Sequence, residues 1–214
     1  MDKESLKKYR FFQDVESFSA RKTPLYLTYD FPEYERVNKN LKKFIIYNLH
    51  NDVLGEAKRT AFNLHRLNNQ LHPAVRQILQ FLHDNLQDVA VQFAIGEDSN
   101  TTMERRKNDL NWNWQDIGLA ECWGIYYDKG QGVITHNHFP FTLSFCYCVS
   151  APEGSAPLIL NDYEGKDVKL YPKEGRLTIF LASTWHRVCP NDQKADGRCS
   201  LVGNYVYAPR FIQA

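Results

Sequence analysis

Three of the seven histidines in the chain stand where they could act together. His136 and His138 lie two residues apart, just after a turn carrying Gly130 and Gly132, and His186 follows 50 positions after His136 at the end of another apolar run. In an extended segment residues i and i+2 project to the same face, so both imidazoles of the first pair can point at one spot. Imidazole suits Fe, Zn, Cu and Ni. Two cis ligands from one strand and a third from another would form a triangular face, with the opposite positions open to exogenous ligands as in a catalytic site. A lone histidine is more often a satisfied core or surface residue; here all three fall in one half of the chain, beside turn or strand-end signals. Twelve residues beyond His186 comes Arg198, with Ser200 on the same strand face. A guanidinium and a hydroxyl side by side can bind a carboxylate, and an arginine pointing inward requires a fixed anion. Alone, Arg198 would read as half of a surface salt bridge. Beside His186 it reads as the anion-binding partner of a metal site.

The elements that must position these residues fall into two halves. Thr23 to Tyr29 is rich in β-favouring residues and reads as a first strand, broken by Asp30-Phe31-Pro32. A helix follows with Val37, Leu41, Phe44, Ile45 and Leu49 as its apolar stripe. Segment 56–67 is read as a helix. Next comes the strongest helical pattern, with Pro73 at its first position and Val75, Ile78, Leu79, Leu82, Leu86, Val89 and Phe93 on one face. His50, His65, His72 and His83 belong to this helical part and read as helix or loop residues. Residues 1–22 read as a short polar arm or helix. Gly96 to Asn113 is polar, carries both charge signs and reads as a surface loop; Trp112 and Trp114 at its end could anchor it or wall a pocket.

From Ile117 onward the period shifts towards two. Strands are expected at 119–127, 132–138, 141–149, 157–161, 167–171, 176–182, 185–189 and 198–207, several of them separated by glycine-containing turns. About eight short strands in 90 residues predict a mainly β, α+β fold: a jelly roll with N-terminal helices packed outside one sheet. One domain over 1–214 is expected, with a helical support region at about 1–115 and a jelly-roll core at about 117–207. Cys146 and Cys148, two apart on one strand face, read as buried core thiols.

Composition narrows the function classes. With 43% apolar residues and a net charge of +1, the chain is not disordered and has no global electrostatic signal for nucleic acid or membranes. Five cysteines without disulfide-like spacing fit a reducing compartment, and the charged N-terminus lacks the apolar core of a signal peptide. No stretch approaches the ~20 apolar residues of a membrane span. A cytoplasmic location is expected. The sequence holds no G-x-S-x-G motif and no P-loop. It carries no signal for oligomeric state.

Taken together, Tyr126-x3-Gly130-x-Gly132-x3-His136-x-His138, Gly175-x-Leu177-x2-Phe180 ahead of His186-x-Val188-x-Pro190-Asn191, and Arg198-x-Ser200 resemble the iron(II)- and 2-oxoglutarate-dependent oxygenases. The likeness is to the prolyl-hydroxylase-like branch and a small phage and marine-bacterial group with an H-x-H…H pattern, and it covers roughly residues 120–207. The resemblance implies a double-stranded β-helix (the jelly roll named above) and Fe(II), 2-oxoglutarate and O2 as metal, cosubstrate and oxidant. It also implies hydroxylation of a small-molecule or peptidyl substrate, in the host cytoplasm if the protein is phage-encoded. By position, His136 and His186 match the two histidine ligands of the family's 2-His-1-carboxylate triad. Arg198 and Ser200 match the residues that bind the far carboxylate of 2-oxoglutarate, and Tyr126 matches a tyrosine that contacts it. His138 departs from the pattern, since most of the family has Asp or Glu there; a three-histidine face is the favoured reading. Two other classes share the barrel: a cupin-like three-histidine dioxygenase, which has no need of Arg198 and Ser200, and a non-enzymatic jelly-roll binding module.

Overall fold

The computed structural model describes residues 23–50, 57–69, 71–95, 116–192 and 194–207. The expectations for 1–22 and for the 96–113 loop with Trp112 and Trp114 lie outside these residues. Ten strands and two α-helices are described: β1 (Tyr26–Asp30), α1 (Tyr34–Tyr47), β2 (Lys58–Arg59), α2 (Pro73–Gln92), β3 (Ile117–Tyr127), β4 (Val133–His136), β5 (Leu143–Ser150), β6 (Leu158–Asn161), β7 (Asp167–Leu170), β8 (Arg176–Leu181), β9 (His186–Val188) and β10 (Arg198–Tyr207). They form two antiparallel sheets, a six-stranded one in the order β1-β8-β5-β10-β3-β2 and a four-stranded one in the order β4-β9-β6-β7. The mainly β, jelly-roll expectation is therefore met. The eight strands foreseen after Ile117 all form, most within two residues of the expected ends.

Each face of the larger sheet has its own core. Outside it, α1 and α2 bury Val37, Leu41, Ile45, Val75, Ile78, Leu82, Leu86 and Val89 against Cys122, Phe145, Tyr147, Cys199 and Leu201. The heptad-like spacing of those helical residues makes this stripe, so the helices lie where the pattern placed them. Leu49 falls just past the end of α1, whose last turn is capped at Asn48. Asn38 pins α1 to β5: its amide donates to the Val149 carbonyl at 2.8 Å and accepts from the Tyr147 hydroxyl at 2.7 Å. The approach is close at Gly124 of β3, where a Cβ would stand 2.6 Å from the Ile45 side chain. At the start of α2, Pro73 takes the first helical position while the His72 ring accepts from the Ala74 amide and stacks 4.1 Å from Phe44. Between the sheets lies a second, smaller core that includes Tyr127, Leu158, Leu160, Phe180 and Val188.

Segment 56–67 departs from its expected helix. It supplies edge strand β2, paired with Ile125 and Tyr126, and then a 3₁₀ turn at Leu64–Asn69. Thr60 continues the contact, its amide donating to the Gly124 carbonyl and its hydroxyl accepting from the Gly124 amide, both at 3.0 Å. Backbone pairing with a distant strand here overrides the local helical tendency.

Candidate metal centre and anion pocket

His136 ends β4 and His186 begins β9, and the two are direct cross-strand partners. Residues so paired have neighbouring side chains on one face of the sheet. Their ring centroids are 4.3 Å apart, and His138 adds a third ring at 4.9 Å from His136 and 5.1 Å from His186. One ligand-competent atom from each lies within 4.8 Å of the other two. Imidazoles sharing one ion at ~2.0–2.1 Å bring their donor atoms to within about 4.2 Å of one another, so small side-chain shifts would close this group on a metal. Strand β4 stops at His136, two residues short of the expected end, and the His138 amide donates to the Ala182 carbonyl at 2.8 Å instead. The convergence survives this change because His138 follows immediately and is wedged against Trp123, with ring centroids 5.7 Å apart.

Two backbone carbonyls set the tautomers. His136 Nδ1 lies 2.8 Å from the Ile134 carbonyl and His186 Nδ1 lies 2.9 Å from that of Thr184, each two residues earlier. A carbonyl oxygen only accepts, so Nδ1 carries the proton in both rings and the Nε2 lone pair is left free. This is the outer-shell arrangement that orients imidazole ligands. Burial pushes the His186 pKa down to about 3 and that of His138 to about 4, with His136 adding repulsion in both cases. Both rings are thus neutral near pH 7, the form in which imidazole binds a metal. The donor set fits a divalent transition ion. No carboxylate joins the group among the described residues.

The histidines line a cavity of about 660 Å³ walled by Trp123, Tyr127, Phe180 and Val188. Cys146 and Leu158 also line a second cavity of about 330 Å³ containing Arg198, Ser200, Thr28 and Thr178. The two cavities are neighbours between the sheets. Arg198 is 2% exposed, stacks 4.7 Å over the Tyr127 ring and donates through Nη1 to the Ala156 carbonyl. Its Nε has no partner, and no carboxylate pairs with it among the described residues. Lys173 and Arg176 on the same cavity differ, because both are bound to Asp30, at 2.6 and 3.0 Å. A buried guanidinium with an orphaned donor is costly unless an anion completes it. Arg198 could therefore take a carboxylate or a similar anion, and Ser200, 1% exposed, lines the same cavity.

The structure brings together five of the six residues singled out from the sequence and leaves one aside. Tyr126 pairs with Cys199 and packs on the helix-side core, lining neither cavity. Its neighbour Tyr127, opposite Arg198 in the register, occupies the inward face. Sequence reading also passed over Thr178 and Trp123. Both sit in one row across the sheet, through the pairs Thr178↔Cys146, Cys146↔Val202 and Val202↔Trp123. Alternation from Arg198 reaches Val202, which marks the row once the register is known. Cys146 and Cys148 edge the anion cavity, so they are pocket-lining rather than purely core thiols.

Two sheets closed face to face, with a histidine cluster at one end and a buried arginine further in, define a double-stranded β-helix protein with a metal-competent site. Solved structures of similar fold are 2-oxoglutarate–iron(II) oxygenases. A Pseudomonas putida prolyl-4-hydroxylase aligns with a TM-score of 0.60 at 14% identity, covering 92% of this chain and 98% of its own. The viral collagen prolyl hydroxylase of Paramecium Bursaria Chlorella virus-1, in its 2OG complex, aligns at 0.59 and 12% identity over 86% and 97%. SnoN, a non-heme alpha-ketoglutarate-dependent epimerase from nogalamycin biosynthesis, aligns at 0.61 and 11% over 92% and 83%. No protein-family model matches the sequence, and no curated protein does.

Proposed function

We infer that this chain is a non-haem iron oxygenase coupling oxidative decarboxylation of 2-oxoglutarate to hydroxylation of a small-molecule or peptidyl substrate. One observation carries the reading: three convergent imidazoles and an unpaired buried guanidinium line adjoining cavities that share Cys146 and Leu158. His136, His138 and His186 would hold Fe(II), while Arg198 with Ser200 would take the far carboxylate of the cosubstrate. Bound iron and 2-oxoglutarate would supply the activation of O2, one oxygen atom entering the product hydroxyl and the other the succinate formed as 2-oxoglutarate loses CO2. The protein's own part is positioning and shielding. The Ile134 and Thr184 carbonyls hold two Nε2 lone pairs outward, Tyr127 supports the guanidinium face, and Phe180 against His186 (centroids 4.9 Å) helps keep water from the site. Arg198 would have little purpose in a cosubstrate-free dioxygenase. Tyr127 takes the place on the pocket wall that the resemblance assigned to Tyr126.

Continuity of the helical layer with the larger sheet supports a single oxygenase domain, and five free cysteines support the cytoplasm. No helix among the described residues is long and apolar enough to cross a membrane. The near-neutral charge supports a partner other than nucleic acid.

The test is calorimetric titration of 2-oxoglutarate into Mn(II)-loaded protein, followed by succinate release with Fe(II) in air. Failure of the Mn(II) form to bind 2-oxoglutarate would rule the reading out. His138 gives a sharper check on the ligand set. His138→Ala should weaken Mn(II) binding roughly tenfold or more, whereas His138→Asp, which restores a charged ligand, should retain it. Equal metal affinity in wild type and His138→Ala would reduce the site to two histidines.

A further inference from the structure

The wall of the histidine cavity carries one feature that neither metal nor cosubstrate explains. Glu121 is the only carboxylate among the described residues lining it. It stands on β3 two residues before Trp123, on the same strand face, and both residues line the cavity. A register shift between Asn204 and Tyr205 lies directly opposite, the kind of irregularity that re-aims a side chain. One carboxylate oxygen is held: Asn204, fully buried, donates to Oε2 at 3.0 Å and accepts from the Ser144 hydroxyl at 2.8 Å. The other oxygen, Oε1, has no partner among the described residues. The arginines on this wall are placed differently, Arg187 in an ion pair with Asp167 and Arg59 over the Phe62 ring at 4.6 Å. Two aromatic rings belong to this wall, Phe62 and Trp123 with centroids 4.9 Å apart, and Trp123 in turn stands 5.7 Å from His138.

A carboxylate fixed by a buried amide in a largely apolar cavity can receive a cation. We propose that Glu121 is a specificity-determining residue and that the site takes substrates bearing an aliphatic ammonium group. The ammonium docks on Oε1 with the Trp123 ring beside it, and its alkyl stem runs along the cavity wall towards His138. Charge-assisted hydrogen bonding and cation–π attraction both favour such a group over a neutral isostere. Hydroxylation of the bound molecule rests on the oxygenase reading; its binding does not.

The probes are Nα-acetyl-lysine methylamide against its norleucine counterpart, and n-pentylamine against n-pentanol, titrated calorimetrically into metal-free protein and into protein loaded with Mn(II) and 2-oxoglutarate. At least one ammonium probe should bind roughly tenfold or more tightly than its neutral isostere. Preference for the lysyl pair marks a peptidyl substrate, and preference for the amine pair alone marks a small molecule. Glu121→Gln, which still accepts from Asn204, should erase the preference while leaving thermal stability unchanged. Equal binding of charged and neutral probes, no binding of any probe, or a preference that persists in Glu121→Gln would overturn the proposal. Ammonium selectivity in a protein that binds no 2-oxoglutarate would instead refute the oxygenase reading and leave this one standing.

Discussion

His186→Ala should strip the protein of its divalent ion, lowering Mn(II) affinity by more than ~100-fold. That exceeds the 10–100-fold typical of losing an outer-shell partner, because a ligand itself disappears. His186 is 7% exposed, its ring lies against Phe180 and both other histidines, and no further carboxylate, thiol or imidazole among the described residues joins the group to take its place. Elemental analysis after dialysis, alongside far-UV circular dichroism to verify folding, is the measurement. His136→Ala should behave alike. A folded His186→Ala protein that keeps its full complement of metal would place the ion elsewhere.

Arg198→Met should produce two effects of opposite sign. Affinity of the Mn(II)-loaded protein for 2-oxoglutarate should fall roughly 10- to 150-fold, the consequence of losing a charged contact worth ~1.5–3 kcal/mol. The ligand-free variant should nevertheless melt no lower than wild type. Arg198 is a buried cation with an orphaned Nε, and replacing unpaired buried charge by an apolar side chain of similar length removes a desolvation penalty. Loss of the bond to the Ala156 carbonyl offsets part of that gain. Thermal melts with and without 2-oxoglutarate separate the two effects. At equal concentration, cosubstrate should raise the wild-type midpoint clearly more than that of the variant. Equal 2-oxoglutarate affinity in both proteins would remove Arg198 from the site.

Much of this architecture was legible because the signals were local. The turn-bounded runs after Ile117 carried strand identity, and i, i+2 spacing placed His136 and His138 together even though β4 ends between them. Features that depend on partners were not legible. Tyr126 and Tyr127 are adjacent tyrosines, and only the register Arg198↔Tyr127 says which of them faces inward. Segment 56–67 hides its structure from a local reading because that structure comes from pairing with β3, about 65 residues away, and no local pattern announces it. Glu121 offered no motif at all. Its role follows from Asn204, 83 positions later.

The direct pairing of His136 with His186 has a mechanical consequence. Strands β4 and β9 have four and three residues, against eleven and ten in β3 and β10, so little backbone bonding holds that corner of the smaller sheet shut. An ion gripped by one residue from each strand is a rivet across the seam. Without it, this corner should be among the first parts of the sandwich to open, and amide exchange at Val133–His136 and His186–Val188 should slow on Mn(II) loading far more than in β3 or β10. Cofactor loading and closure of the sandwich would then be one event, and the chain would carry its own check that only the metal-bearing form presents a finished pocket.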